Sequence, residues 1–286
     1  MKNTIPILSI VLLLSIACSN STKVTSTAAT NSTSIQRLPK STVKLIADGS
    51  TDAYAHIDKI LGGTAYEVPD CSHPGFGKHI REQYDSSLQE NVFIFSIHVK
   101  EDNDRCVNMD RQRNEIKTYG PSPDNIKAFN GDAVVYKWKF KLDQNFKPSP
   151  GFTHIHQIKA GDGDAGAPLI TLTPRFGKDG DRIEVININS TGITNKLTDA
   201  SLSQFKGNWV EVTESVTFGS TGKYSISINR IKDGRNLLSY STPNVDLWRK
   251  DTQFCRPKWG IYRSLKNSEY LRDEEVSFAD FELDKM

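Results

Sequence analysis

The residues Ala133-Val-Val-Tyr-Lys-Trp-Lys-Phe-Lys-Leu142 alternate between apolar and polar side chains along almost their whole length. Successive side chains of a β-strand point to opposite faces, so this alternation predicts a strand with one buried face. That face is formed by Val134, Tyr136, Trp138, Phe140 and Leu142. The opposite face carries Lys137, Lys139 and Lys141, which is typical of a solvated strand and also compatible with a basic strip that binds an acidic polymer.

Further runs rich in Val, Ile, Phe, Tyr and Thr occur before and after this stretch, separated by clusters of Gly, Pro, Asn and Asp. They cover residues 91–99, 152–159, 169–174, 182–188, 209–218, 223–231 and 275–283. Helical periodicity is weak, and residues 198–205 are the segment that we expect to form a short helical turn. Many short strands with turns between them predict an all-β fold, a jelly roll in which two antiparallel sheets pack as a concanavalin-like sandwich.

The N-terminus has the features of an export signal. Lys2 is followed by an apolar run over residues 5–16, too short for a stable membrane span, which ends at Ser15-Ile16-Ala17-Cys18. A cysteine directly after a small residue resembles the lipobox of bacterial lipoproteins. The resemblance implies a signal peptide over residues 1–17 and lipidation of Cys18. An ordinary secretory signal that is cleaved nearby is the alternative.

The chain after the signal divides into a tether and one domain. Residues 18–40 consist mainly of Ser, Thr, Ala and Asn, which bury too little apolar surface to fold, so we expect a flexible tether. Residues 41–286 contain no second linker and are long enough for one core. We therefore expect an exported monomer that contacts the bacterial cell envelope through its lipid alone. A tether of this length suits a position at the outer-membrane surface.

Three cysteines remain if Cys18 carries lipid, an odd number for an oxidising compartment. Cys71 and Cys106 flank a hairpin-sized segment and are the preferred disulfide, which leaves Cys255 as a buried free thiol. No Cys/His spacing typical of zinc occurs, so we expect no metal site and no required cofactor. The segment Asp162-Gly-Asp164-Ala-Gly166 is compatible with structural calcium, although a plain turn is the simpler interpretation.

The formal net charge is only +2, so overall charge does not indicate nucleic acid or another polyanion as a partner. Local charge is more informative. Arg111, Arg113, Glu115 and Lys117 alternate along one predicted strand and share a face. Because a line of ionic residues is costly to bury, we expect this face to meet solvent or a ligand. A surface ladder of ion pairs is the alternative.

Two other segments carry chemistry. His154 and His156 stand two positions apart, so we expect them on one face, where they suit a base with a hydrogen-bonding neighbour or a metal pair. Lys258, Gly260 and Tyr262 also alternate, and a glycine inside a strand marks a close approach by a ligand or a bulge.

These segments, in this order, resemble the strand motifs of jelly-roll polysaccharide lyases, the group that includes alginate, heparin, glucuronan and some ulvan lyases. Arg113-Asn-Glu-Ile-Lys117 is similar to their Arg-x-Glu-Leu-Arg strand. His154-Ile-His156 resembles Gln-Ile-His, with histidine in place of glutamine, and Lys258-Trp-Gly-Ile-Tyr262 matches Lys-x-Gly-x-Tyr.

The resemblance implies an enzyme that cleaves an acidic, uronate-containing polysaccharide by β-elimination. Arg113 with His154 or Gln157 then neutralises the uronate carboxylate, His156 is the base and Tyr262 the acid, or these last two share both proton transfers. The residues expected to bind substrate are Gln157, Glu115, Lys117, Lys137, Lys139 and Lys258. Two other functions stay open: a β-sandwich glycoside hydrolase, although its paired-carboxylate pattern is missing from the sequence, and a non-catalytic glycan-binding surface lipoprotein.

Overall fold

The computed structural model describes residues 40–286 together with Met1. The expected signal peptide (residues 1–17), the lipidation site Cys18 and the tether (residues 18–40) lie outside the described residues, apart from Met1 and Lys40. No helix in the described part of the chain is long and apolar enough to cross a membrane.

The described chain is built almost entirely of short strands, with one helix, α1 (Ala53–Leu61). In chain order the strands are β1 (Ser41–Leu45), β2 (Tyr66–Glu67), β3 (Ile80–Asp85), β4 (Glu90–Ile97), β5 (Arg111–Lys117), β6 (Ala133–Leu142), β7 (Thr153–Ala160), β8 (Ile170–Arg175), β9 (Arg182–Ile188), β10 (Thr194–Ser201), β11 (Val210–Thr217), β12 (Gly222–Arg230), β13 (Asn236–Val245), β14 (Cys255–Ser264) and β15 (Glu274–Lys285).

The strands form two antiparallel sheets. Sheet A has the order β13-β12-β11-β6-β15-β4-β3, and β1 also pairs with β15. Sheet B has the order β10-β9-β8-β7-β14-β5-β2. Half of the neighbouring pairs in these orders are consecutive in sequence, and the others, such as β6 with β15 and β7 with β14, join distant parts of the chain, as in a jelly roll, where the chain crosses between the sheets. This arrangement confirms the predicted all-β fold of two antiparallel sheets packed as a sandwich.

The core lies between the two sheets and is formed on one side by the apolar face of β6, as the alternation predicts. Trp138 and Phe140 are completely buried, and Trp259 of sheet B packs beside them in the same cluster. Burying a side chain of this size stabilises the fold by about 1.5–3 kcal/mol. The buried rows of β6 and β14 therefore fix which face of each sheet points outward.

Two helical features differ from the sequence prediction. Residues 198–201 belong to strand β10, so the helical turn expected over residues 198–205 is wrong for its first half and is limited to a single 3-10 turn at Leu202–Gln204. Pairing with β9, including an ion pair between Arg182 and Asp199, holds this stretch extended. The helix α1 was not expected. Its N-terminus is capped by the Asp52 carboxylate, which accepts a hydrogen bond from the Ala55 amide.

Candidate active site

The three motif segments of the sequence become neighbouring strands at the centre of sheet B. Strand β14 lies between β5 and β7, and both pairings are antiparallel. Tyr262 pairs with Arg113 on one side and with His154 on the other. Residues that are about 150 positions apart in sequence therefore meet on one outer face.

Gly260 allows this juxtaposition. The pairing of β14 with β7 shifts register between Trp259 and Tyr262, which is a β-bulge. Gly260 has a φ of 142°, and a Cβ atom there would lie 2.1 Å from the carbonyl oxygen of Asn114. The glycine is thus required by the close backbone of β5, while the bulge places His154 opposite Tyr262 and His156 opposite Trp259.

Tyr262 is the centre of the partly accessible part of this face. An Nη1 atom of Arg111 donates a hydrogen bond to the Tyr262 hydroxyl at 3.0 Å. The Arg113 guanidinium stacks on the phenol ring, with its carbon 3.6 Å from the ring centre. The His154 ring lies 6.0 Å away between centroids, and Phe152 packs against both rings. The phenol is held between cations in a defined orientation.

His154 is held as a neutral ring. Its Nδ1 lies 2.8 Å from the Thr173 hydroxyl, which in turn lies 2.9 Å from the Thr171 hydroxyl. Burial lowers the pKa of His154 to about 3, and the nearby positive charge of Arg175 acts in the same direction. If Nδ1 accepts the threonine proton, the other ring nitrogen carries the hydrogen and can donate it to a ligand.

Below Tyr262 the outer face is filled by a network of buried ion pairs. The Glu115 carboxylate accepts hydrogen bonds from Arg113 at 2.5 Å, from Lys258 at 2.6 Å and from Gln157 at 2.5 Å. Glu67 of β2 accepts from Lys258 at 2.5 Å and also pairs with Lys117 and Arg105. Each charge is paired, which offsets the cost of removing it from water.

This network corrects the expectation that the Arg111–Lys117 line stays open. Glu115 is only 1% exposed and Lys258 only 2% exposed, so neither is a surface for substrate. Burial alone raises the pKa of Glu115, but the charges of Lys258 and Arg113 hold it below the ordinary value. Glu67 is held ionised in the same way, since Lys258, Arg113 and Lys117 outweigh its burial and lower its pKa.

A disulfide-linked loop covers the network. Asp104 accepts hydrogen bonds from the Nε atoms of both Arg113 and Arg105 at 2.9 Å. The same loop contains Cys106, which forms the predicted disulfide with Cys71. The prediction for Cys255 is also confirmed, because it is a buried free thiol whose pKa burial raises above its usual range.

Two cations on this side of sheet B lack an acidic partner. Among the residues that the structure describes, no carboxylate lies within 4.0 Å of the Lys159 ammonium or the Arg256 guanidinium. Both groups donate to backbone carbonyls instead, of Gly166 and Thr118 respectively. Burial lowers the pKa of Lys159 to about 8, and repulsion by Lys258 adds to this. This face therefore carries positive charge that an anionic ligand can compensate.

His156 does not share a face with His154, so that expectation is wrong. The register shift places His156 opposite Trp259 on the core side of sheet B, where it is completely buried. Its Nε2 lies 2.8 Å from a carboxylate oxygen of Glu214 in sheet A, and its Nδ1 bonds to the Lys258 carbonyl. A polysaccharide on the outer face cannot reach this ring.

The lysine strip of β6 is also separate from the motif strands. Strand β6 lies in sheet A, so Lys137 and Lys139 point away from the Tyr262 face. Lys137 pairs with Glu282 at 2.6 Å, and Lys139 pairs with Glu90 and Asp280. The expectation of one groove containing both sets is wrong, because the alternation of β6 does not reveal which sheet the strand joins.

The segment Asp162-Gly-Asp164-Ala-Gly166, considered above for calcium, is held by contacts with other parts of the chain. The Asp162 carboxylate accepts a hydrogen bond from the Gln253 amide, and Asp164 lies 3.9 Å from Arg249. The segment is thus tied to the chain beside it, as a plain turn would be. The residues that sequence reasoning did not assign to the site are Glu67, Asp104, Arg111 and Thr173. Of these, only Arg111 had a usable signal, since it alternates with Arg113.

The comparisons with known proteins support the fold. No family model and no curated protein sequence matches the chain. Among solved structures, the PL-14 alginate lyase from Aplysia kurodai superposes with a TM-score of 0.55 at 13% identity, over 87% of this chain and 100% of that chain. The endo-β-1,4-glucuronan lyase from Trichoderma reesei superposes with a TM-score of 0.52 at 14% identity, over 72% and 87% respectively. The chain has the jelly-roll fold of these polysaccharide lyases.

Proposed function

We propose that the chain is a polysaccharide lyase that cleaves a uronate-containing polysaccharide by β-elimination. The observation that carries the proposal is the Tyr262 hydroxyl, which Arg111 contacts at 3.0 Å on the outer face beside the neutral His154 ring. The solved structures of similar fold include enzymes named for alginate and glucuronan, both polymers of uronic acids. The unpaired cations Lys159 and Arg256 give this face the charge that such a polymer requires.

The chemistry needs one group that exchanges protons and others that stabilise negative charge. In its phenolate form, Tyr262 removes the proton at C5 of the uronate, the C–H electron pair forms the C4–C5 double bond, and the C4–O bond breaks. The leaving oxygen takes a proton, which Tyr262 returns. Arg111 stabilises negative charge on the phenol oxygen, since its guanidinium donates to that atom.

The uronate carboxylate must be neutralised so that negative charge can develop at C5. The N–H of neutral His154 and the partly exposed guanidinium of Arg111, which also pairs with Asp110, are the donors beside Tyr262 that we assign to the carboxylate. Arg113 is a positioning residue in this scheme, because Asp104 and Glu115 occupy its guanidinium and its face supports the Tyr262 ring. Glu115, Gln157 and Lys258 hold Arg113 from below.

The glycoside hydrolase alternative is not favoured by the electrostatics. Hydrolases of this kind need one protonated carboxyl group as a general acid. Glu67 and Glu115 are neighbouring carboxylates on this face, and Lys258 bridges them. The surrounding cations hold both in the ionised form. Neither carboxylate is therefore suited to donate a proton.

The proposed activity is tested by incubating the chain with alginate, glucuronan, ulvan and heparin and recording the ultraviolet absorbance of unsaturated uronates. We expect Tyr262→Phe to lower turnover at least about 100-fold, because the proton-exchanging hydroxyl is removed. Tyr84→Phe is the matched control, since that ring is exposed at the far edge of sheet A. Glycan binding without turnover on the whole panel would instead identify a non-catalytic binding protein.

We also propose that the enzyme acts from the cell envelope, held by a lipid on Cys18. The small residue Ala17 before Cys18 and the Ser/Thr-rich tether behind it support this placement. Cys18→Ala should move the protein from the detergent phase to the aqueous phase of a Triton X-114 partition. A wild-type protein found in the aqueous phase would contradict the anchor.

A further inference from the structure

Three histidines and one aspartate converge outside the proposed active site. His73 and His79 lie on the loop of residues 68–79, between β2 and β3, and His98 and Asp102 lie on the loop of residues 98–110, between β4 and β5. One ligand atom of each residue can be chosen so that all four lie within 4.8 Å of one another. The four residues do not follow a regular metal-ligand spacing in the sequence.

The three distances from Asp102 to the histidines are close to the spacing between ligand atoms in a tetrahedral metal site. Asp102 Oδ1 lies 3.2 Å from Nδ1 of His73 and 3.1 Å from Nε2 of His79. Asp102 Oδ2 lies 3.1 Å from Nδ1 of His98. Ligand atoms bonded at about 2.0–2.1 Å to a tetrahedral zinc ion lie about 3.3 Å from each other. Each histidine nitrogen therefore already lies near this spacing from an oxygen of Asp102.

The surroundings of His79 provide an independent observation. Its Nδ1 lies 2.7 Å from a carboxylate oxygen of Asp70, and the Tyr54 hydroxyl bonds to the same carboxylate at 2.9–3.0 Å. A metal-binding histidine characteristically donates its second N–H to a carboxylate, which orients the ring and makes the first nitrogen a better ligand. His79 is fully buried and its Nε2 points at Asp102.

One side of the cluster is buried, and the other side is partly exposed to solvent. His79 and Asp102 have no exposed side-chain surface, and Phe76 packs on the rings of His79 and His98. The side chains of His73 and His98 are 24% and 19% exposed, which leaves an entry path for an ion. Three imidazoles and one carboxylate are N and O ligands that suit zinc.

We propose that His73, His79, His98 and Asp102 bind one zinc ion. Four protein ligands complete a tetrahedron and leave no open position, so the ion is structural. It joins the two loops beside the Cys71–Cys106 disulfide.

The second loop also carries Asp104, which holds Arg113 under Tyr262. The zinc ion therefore fixes both loops, and with them the position of Asp104 over the ion-pair network.

The test is metal analysis of the full chain purified with its disulfide intact. We expect about one zinc per chain, removal by dipicolinate, and, after cobalt is supplied instead, the visible absorption of a tetrahedral Co²⁺ site. Zinc should also raise the Tm of the stripped protein, because it binds only the folded chain. A stripped chain that takes up less than about a tenth of an equivalent of zinc would overturn the proposal.

Substitutions of the proposed ligands test where the zinc ion binds. His98→Ala and Asp102→Asn should abolish the cobalt spectrum, and Asp70→Asn should weaken zinc binding by about 10-fold to 100-fold through loss of ring orientation. His56→Ala is the control, since that ring contacts Glu82 in a separate cluster. A cobalt spectrum retained in His98→Ala, or lost only in His56→Ala, would contradict the assignment. Because metal content and spectrum need no substrate, failure here is distinguishable from failure of the lyase proposal.

Discussion

At the residue scale, the chemistry rests on how Tyr262 and His154 are supported. Tyr262 is fixed by a hydrogen bond from Arg111 and by the Arg113 guanidinium beneath its ring, which limits the motion of its hydroxyl. His154 is fixed by Thr173 and stays neutral because burial lowers its pKa to about 3. A histidine with so low a pKa stays unprotonated near neutral pH and is a weak base. Proton exchange is therefore assigned to Tyr262, and N–H donation to His154.

This division of work predicts different results for two substitutions of His154. His154→Gln should retain most of the turnover, because a glutamine amide also supplies an N–H and is the residue found in the motif of the similar lyases. His154→Ala should lower kcat/KM about 10-fold to 1,000-fold, since the uronate carboxylate loses a donor. Steady-state kinetics on the preferred polymer measure both. Equal losses in the two variants would show that the N–H is not what His154 contributes.

At the element scale, sequence patterning predicted the strands well where one face is buried. The bounds of β6 and β9 match the predicted runs, and those of the motif strand β7 differ from the run 152–159 by one residue at each end. Strand β3 was missed because it forms an edge of sheet A, where its polar residues see solvent and no alternation develops. Patterning also left open which sheet a strand joins, which is why Lys137 was assigned to the wrong face.

The separation of the two faces predicts which lysines matter for binding. Lys159→Gln should raise KM about fivefold, on the order of 1 kcal/mol, because its charge has no carboxylate partner and is available to a polyanion. Lys137→Gln and Lys139→Gln should leave KM unchanged, since both lie on sheet A and pair with acidic residues. Because the pKa of Lys159 is lowered to about 8, the KM of the wild type should also rise above that pH.

These KM values are measured at low and fixed ionic strength, because salt screens exposed charges. A larger effect from Lys137→Gln than from Lys159→Gln would contradict the placement of the substrate on sheet B and would favour the outer face of sheet A. That face contains a shallow depression lined by Lys44, Lys137, Lys139, Glu211, Asp280 and Glu282.

At the scale of the whole molecule, the sandwich can be predicted from the sequence, whereas the long-range contacts between its strands and loops cannot. The pairing of β14 with β7 shifts register between Trp259 and Tyr262, so counting positions along β7 cannot tell that His156 enters the core while His154 stays on the outer face. Glu67 and Asp104 reach the site from a two-residue strand and a loop, whose positions depend on tertiary pairing rather than local pattern. Long-range contacts of this kind are what a single sequence conceals.

Stability should depend on pH through Glu274, which lies at the start of β15 and is 2% exposed. One carboxylate oxygen accepts a hydrogen bond from the Lys147 amide and lies 3.3 Å from Nε of Arg272, while the other has no hydrogen-bond partner among the described residues. Burial raises the pKa of this carboxyl from 4.5 to about 7. The native state thus keeps a proton that the unfolded chain releases, so the contribution to stability is full below pH 4.5 and is lost as pH rises through 7.

Glu274→Gln should therefore stabilise the protein at pH 8 and leave it nearly unchanged at pH 4. The shift corresponds to on the order of 3 kcal/mol at most, because each pKa unit is worth about 1.4 kcal/mol. Urea unfolding at both pH values measures it. Glu275→Gln is the control, since that neighbouring side chain is 53% exposed and pairs with Arg81 on the outer face. A gain at pH 4 as large as that at pH 8 would mean that packing, rather than the buried charge, limits stability at this position.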